Sequence, residues 1–243
     1  MKTKSVKMSV IVWTGLGMLL FQNFDLTHSR FELFLQSVDQ ESRTEHAEEL
    51  LGSTFKNSKA ANIDKEHMHY AIYEEFKRRL PKTDKWQAAP LANLVIQESA
   101  KYELDPVFIM AVIAQESSFR PRAKGPVGEI GLMQLRPETA ACVAKRIGLA
   151  FHGAHTLNQP YLNLKLGIAY ISQLRANFKG KANQYVSAYN MGARNVRRMI
   201  ASSKTPKEYS GKVMKKYQDL YANISKTGVL IAKASAPTLA THH

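Results

Sequence analysis

Glu116 is the residue around which chemistry can be built. If the segment before it is helical, Ile109, Val112 and Ile113 stand seven, four and three residues earlier and share its face. Hydrocarbon on that face would desolvate the carboxyl. Burial disfavours the charged form of an acid, so its pKa would rise toward the range where it donates a proton near neutrality. The same spacing equally fits a surface glutamate at a frayed helix end whose apolar neighbours point elsewhere. A few residues on, Gly125-Pro126-Val127-Gly128-Glu129-Ile130-Gly131 is dense in glycine and runs into Leu132-Met133-Gln134. Such a loop lets a ligand approach backbone, and Gln134 offers both a donor and an acceptor to amide or hydroxyl groups; a structural turn is the other reading. A third cluster, Ser187-Ala188-Tyr189-Asn190-Met191-Gly192, sets an aromatic ring and an amide at a helix end. It reads as a binding pair, or as a buried tyrosine beside an ordinary C-cap.

These residues need elements to hold them. From Leu91 onward apolar residues recur at helical spacing and nothing alternates with the period of a strand, so an all-α domain is expected. One helix is read over residues 91–102. Asp105 followed by Pro106 is an N-cap with proline in the first turn, opening a second helix that ends at Glu116. Further helices are expected over residues 137–147, 161–178, 182–190 and 207–224, with Gly148 and Gly192 as C-terminal caps. Residues 29–90 are polar, with acids and bases interleaved. Phe31, Phe34, Leu35 and Val38, then Tyr70, Tyr73, Phe76 and Leu80, predict one or two amphipathic helices there, the second stopped by Pro81. This stretch reads as a helical spacer, and residues 225–243, without a sustained apolar face, as a loose tail.

The chain has 243 residues, of which 44% are apolar and 22% charged, a globular composition rather than a disordered or polytopic one. Lys plus Arg number 34 against 20 for Asp plus Glu, a net charge of +14 that suits work beside an anionic partner. Nucleic acid fits the charge but no nucleic-acid-reading motif is present. The lone Cys142 excludes an intrachain disulfide and a thiolate zinc site, and the eight histidines form no convincing metal shell, so neither metal nor cofactor is expected. Lys2, Lys4 and Lys7 precede the apolar run from Met8 to Phe21, the order of a secretory signal. Its 14 residues, at ~1.5 Å each, cover roughly 21 Å of a ~30 Å bilayer core. Residues 1–28 are therefore read as a signal peptide or an N-terminal membrane anchor, and the protein as exported to the periplasm or cell envelope. Lys212, Lys215 and Lys216 read as a solvated helix face, or as a grip on an anionic polymer.

In order and spacing these motifs resemble the catalytic domain of the soluble lytic transglycosylases, relatives of goose-type lysozyme. The resemblance rests on Glu116-Ser117 after an apolar helix, Pro126-Val127-Gly128 leading into Gly131-Leu132-Met133-Gln134 with Pro137 beyond, and Ala188-Tyr189-Asn190 with Gly192. Tyr209, ahead of Val213 and Tyr217, looks like the family's late active-site tyrosine. The likeness covers roughly residues 91–221 and implies a lysozyme-like helical domain, placed over residues 91–224. It also implies cleavage of peptidoglycan strands between N-acetylmuramic acid and N-acetylglucosamine without water, with Glu116 as acid and then base and a 1,6-anhydromuramyl product. Gln134, Asn190, Tyr189 and Tyr209 would hold the sugar and orient Glu116, Met133 would line the saccharide groove, Gly131 would be among the substrate-binding residues, and Ser117 would support the end of the catalytic helix. The family's enzymes also serve envelope assembly, which leaves room for a secretion-machine partner.

Three departures stand out. Gly125 replaces a serine common in the family, Glu129 replaces a small residue, and Arg136 stands where goose-type lysozymes tend to carry Asp. The last argues against their hydrolysis, whereas Glu129, were it to face the cleft, would be a second carboxylate able to activate water. The alternatives are a muramidase acting on the same bond and a non-catalytic peptidoglycan-binding protein of envelope assembly.

Overall fold

The computed structural model describes residues 65–235, with side-chain environments over residues 68–224. The apolar run, the first amphipathic segment and the last eight residues of the chain lie outside the described residues. Within them the order is α1 (Lys65–Arg79), a 3-10 helix (Lys82–Gln87), α2 (Ala88–Lys101), α3 (Pro106–Glu116), α4 (Pro137–Ile147), a second 3-10 helix (Ala154–Asn158), α5 (Pro160–Asn177), α6 (Ala182–Met191), α7 (Ala193–Ala201) and α8 (Glu208–Ser235). The described residues contain no strand, only isolated bridges at Lys124–Ile130 and Ile130–Leu135. This is the all-α architecture that the periodicity predicts.

Local chemistry starts and stops several helices where expected. The Asp105 carboxylate caps α3 by accepting the Val107 N–H at 2.7 Å, with Pro106 preset for the first turn. Proline also opens α4 and α5, and Gly148 ends α4 in the left-handed region at φ 69°. Gly192 ends α6 at φ 84° and ψ 144°, outside that region, and the chain turns directly into α7. The short α7 and both 3-10 helices are additions to the sequence reading. The first part of the expected loose tail is helical, since α8 runs on to Ser235, and the remainder lies outside the described residues.

The core is built around α3. Every residue from Pro106 to Ala114 is buried, so this helix is apolar on all sides rather than along one stripe. Phe108, Ile109, Met110 and Ile113 are among the largest fully buried side chains, each worth about 1.5–3 kcal/mol by removal from water. Met68, Ala71, Ile72, Phe76 and Leu80 of α1 and its end join the same cluster. The expected boundary at residue 91 is therefore not a boundary of packing, because the last part of the spacer completes the domain core. A second cluster joins α4 to α5 through Leu135, Ala140, Val143, Leu166 and Ala169, and the rings of Tyr102, Tyr170 and Tyr189 pack against both clusters.

α8 lies antiparallel to α3, and two tyrosines pin it. Near the start of α3 the Tyr217 hydroxyl donates to Asp105 Oδ2 at 2.7 Å, while Oδ1 of the same carboxylate makes the N-cap. At its end Tyr209 donates to Glu116. Burial pushes the Asp105 pKa up, and the bonds from Tyr217 and from backbone N–H groups oppose that shift. Tyr217→Phe leaves one buried carboxylate oxygen without its donor, so urea denaturation is expected to show a loss of about 1–3 kcal/mol. Turnover measured well below the unfolding range should be close to that of the parent protein; an unchanged midpoint would show that the bond contributes nothing to stability.

Candidate active site

Glu116 is the last residue of α3, and the turn after it holds it in place. The Ser117 N–H and hydroxyl both donate to the Ile113 carbonyl, at 3.1 and 3.2 Å, which satisfies an acceptor at the helix end. Ser118 and Phe119 then take φ of 51° and 63°, a left-handed turn uncommon for side chains of this kind. The turn is kept because Phe119 is fully buried, edge-on to Phe76 at 5.5 Å and under the Arg79 guanidinium. Farther along, Arg122 makes a bidentate pair with the buried Asp84 of the first 3-10 helix at 3.1 and 3.2 Å, tying down the start of the next loop.

The carboxyl of Glu116 is half-buried and faces a cleft of about 530 Å³ lined by Ser187, Asn190, Met191, Tyr209 and Lys212. Burial raises its pKa from 4.5 to about 7; the Tyr209 hydrogen bond opposes this and the negative charge of Glu129 adds to it. The Tyr209 hydroxyl is itself pushed well above its ordinary pKa by burial and by Glu116, so it remains a donor at neutral pH. The other carboxylate on the cleft, Glu208, is exposed, bonded to Lys212 at 2.7 Å, and lowered in pKa by that lysine. Glu116 alone on this wall is suited to hold and release a proton near neutrality.

The glycine-dense loop is a built structure rather than an open cradle. Gly131 has φ 86°, and a Cβ there would meet the Leu157 carbonyl oxygen and the Asn163 amide at about 2.6 Å. Asn163, fully buried on α5, bonds the Met133 N–H at 2.8 Å, the Ile130 carbonyl at 2.8 Å and the Leu157 carbonyl at 3.1 Å. One turn on, Gly167 makes room for the Met133 side chain, and Tyr170 packs against Tyr189 at 5.4 Å. Tyr189 completes the frame by donating to the Met133 carbonyl at 2.7 Å. Sequence reasoning missed Asn163, although Asn163, Gly167 and Tyr170 recur at the three-and-four spacing of a single helix face, and an amide on an apolar face is a signal of a buried polar task.

The structure therefore sorts the predicted residues. Glu116, Tyr209 and Asn190 share the cleft. Three others do not present a side chain to it: Ser117 is buried under the helix end, Gly131 is spent on the approach of Asn163, and Met133 is fully buried against Gly167, which corrects its place in the groove. Gln134 sits at φ 46° and gives its amide N–H groups to the Ala123 and Gly131 carbonyls, both at 3.0 Å, so its donor is committed to the loop and only its oxygen is left to offer. The Tyr189 hydroxyl is likewise committed to the loop. Among the described residues no group of three or more His, Cys, Asp or Glu side chains is placed to hold a metal ion.

The transglycosylase SLT domain family matches residues 93–211 of this chain, a span that holds Glu116, the glycine-dense loop and Tyr209. Residues 93–211 thus resemble a transglycosylase SLT domain. The soluble lytic murein transglycosylase of Salmonella typhimurium is 31% identical over 117 residues, 47% of this chain and 18% of that protein. The transglycosylase of Enterobacteria phage PRD1 is 34% identical over 125 residues, 51% of this chain and 42% of that protein. The membrane-bound lytic murein transglycosylase C of Photorhabdus laumondii is 34% identical over 120 residues, 46% of this chain and 34% of that protein. The chain thus matches less than half the length of each of these relatives.

Holding a buried acid that prefers its proton has a consequence for stability. Below pH 4.5 Glu116 is protonated folded or unfolded; from there to about pH 7 the folded form binds the extra proton, so stability falls as pH rises and stays lower above pH 7. Glu116→Gln removes the ionisation. The variant is expected to be more stable than the parent at pH 8.5, by on the order of 2–3 kcal/mol, and nearly equal to it at pH 4. Equal stability of the two proteins at both pH values, measured by denaturant unfolding, would show that the carboxyl is not desolvated.

Proposed function

We propose that this protein is a peptidoglycan lytic transglycosylase in which Glu116 acts as both acid and base. The observation that carries this reading is a single half-buried carboxyl, raised in pKa to about 7, lining a cleft whose other carboxylate is paired with a lysine. Protonated Glu116 gives its proton to the glycosidic oxygen as the bond from that oxygen to C1 of N-acetylmuramic acid breaks. The positive charge left on the sugar is stabilised by its own acetamido group, one of the arrangements that dispenses with a second carboxylate. Glu116, now a carboxylate, takes the proton of the C6 hydroxyl as that oxygen bonds to C1, which closes the 1,6-anhydro ring. No water is consumed, and the enzyme ends with the proton it began with.

The neighbours fit these roles. Tyr209 donates to Glu116 from the side, which fixes the carboxyl's orientation and supports the carboxylate formed after proton transfer. Asn190 is exposed on the cleft wall and is placed to bond sugar hydroxyl or acetamido groups. The Tyr189 hydroxyl and the Gln134 amide act one step back, holding the glycine-dense loop. The relatives named as soluble and membrane-bound murein transglycosylases support an envelope location, where a net charge of +14 favours contact with an anionic wall. Among the described residues no helix is long and apolar enough to cross a membrane.

The test is mass spectrometry of muropeptides released from purified sacculi by the full chain. Anhydromuramyl ends are expected, lighter by one water than the hydrolytic product, with release reduced by several orders of magnitude in Glu116→Gln because an amide cannot relay the proton. Reducing ends in their place would make the protein a muramidase. Undiminished release by the variant would remove Glu116 from the mechanism.

A further inference from the structure

Trp86 is 77% exposed, more than any other large apolar side chain among the described residues. It stands on the first 3-10 helix, a turn closed around the buried carboxylate of Asp84. Thr83 Oγ1 and Gln87 Nε2 each donate to that carboxylate at 3.0 Å, Arg122 adds its two bonds from the loop after α3, and the Asp84 N–H donates to the Pro81 carbonyl at 2.8 Å. With residues 83, 84 and 87 bonded together, the indole is held out in water from a fixed base. The surroundings are cationic. Lys82 and Lys85 are exposed on the same turn, and no carboxylate among the described residues pairs with either. Arg122 stays largely exposed although paired with Asp84, and the exposed Arg120 gives its Nε–H to the carbonyl of Ser117, the residue after Glu116, at 3.0 Å. Contacts therefore run from the end of the catalytic helix through Arg120 and Arg122 to Asp84 and the turn that carries Trp86. We propose that this strip is a second binding site for a peptidoglycan strand, with the face of a pyranose ring on the Trp86 indole and with Lys82 and Lys85 on carboxylates of the peptide stems.

The chemistry of the strip selects this occupant. One face of a pyranose ring is made of C–H groups and its rim of hydroxyls, so it covers an aromatic face while its polar groups stay in water. A protein partner would need a contiguous apolar patch of several hundred Å². Here the indole shares its turn with Lys82, Thr83, Lys85 and Gln87. Unpaired cations beside a flat ring complement a sugar polymer that carries free carboxylates, in keeping with the net charge of +14. Lys82, Lys85 and Trp86 all precede residue 93, where the family match begins, so the match does not assign this site. The proposal rests on the reading of peptidoglycan as the substrate, and it is independent of the proton transfers at Glu116.

Binding is read by sedimenting the full chain with purified sacculi in the cold, in a Glu116→Gln background that keeps turnover from consuming the wall. Adding Trp86→Ala should raise Kd roughly five- to twentyfold, the range for returning one aromatic face to water, with no change in the unfolding midpoint. Trp86→Phe should recover part of that loss. Lys82→Gln together with Lys85→Gln should also weaken binding and flatten its dependence on salt, which Trp86→Ala leaves steep. On sacculi stripped of their peptide stems by an amidase, the effect of Trp86→Ala should persist and that of the lysine pair should disappear. Equal Kd values with and without Trp86→Ala would overturn the proposal. Trp86-dependent binding to anionic phospholipid vesicles with none to sacculi would overturn it too, in favour of a membrane surface. A protein that binds sacculi through Trp86 yet releases no anhydromuramyl ends loses the catalytic reading alone, and one that releases them while the Kd values coincide loses the second site alone.

Discussion

The pairing of α8 with α3 is fixed at both ends by a tyrosine bonded to a carboxyl, and the bond between Tyr209 and Glu116 is one of the two. At one end Asp105 uses one oxygen to cap α3 and the other to receive Tyr217; at the other end Glu116 receives Tyr209. Both acids are buried or half-buried, and both would be costly there without their tyrosine donors. The acid at the start is structural and has its oxygens satisfied. The acid at the end has one phenol and an open side, and that difference in satisfaction separates a cap from a reactive group.

The all-round burial of α3 makes the site rigid. A helix with solvent on one side could roll or bend to relieve a desolvated carboxyl at its end. α3 has α8, α2 and the rest of the core on its sides, so Glu116 stays where hydrocarbon raises its pKa. The positive φ values at Ser118 and Phe119 belong to the same constraint, since the chain must turn sharply after Glu116 to return Phe119 to the core. Active-site strain here is held by packing remote from the cleft.

The glycine-dense loop is shaped by one face of α5. Asn163 replaces the regular ladder the loop lacks, bonding one N–H and two carbonyls, and Gly167 lets Met133 sink between loop and helix. The loop therefore owes its form to buried polar bonds and close packing rather than to ligand contact. Glu129 and Gln134 belong to the same loop, each tied to its backbone by hydrogen bonds.

Much of this was legible in the chain alone. Helical periodicity, the Asp105-Pro106 start signal and Gly148 as a cap are local matters of backbone geometry and hydrogen bonding, set within a turn or two of sequence. The order and spacing of Glu116, the glycine-dense loop, Tyr189-Asn190 and Tyr209 resemble the catalytic domain of the soluble lytic transglycosylases, and that resemblance, rather than any one motif, implies the chemistry. Periodicity left open whether Glu116 was buried, since the apolar residues around it come from helices far along the chain. The burial of Met133 and the packing of Gly131 are not legible in the chain, because their partners, Gly167 and Asn163, lie some thirty residues away. Gly125 and Glu129 are separate departures in the sequence, whereas in the fold the Glu129 side chain occupies the space that a Cβ at residue 125 would need. Desolvation, steric exclusion and charge proximity depend on distance in space, and only the folded chain sets that distance.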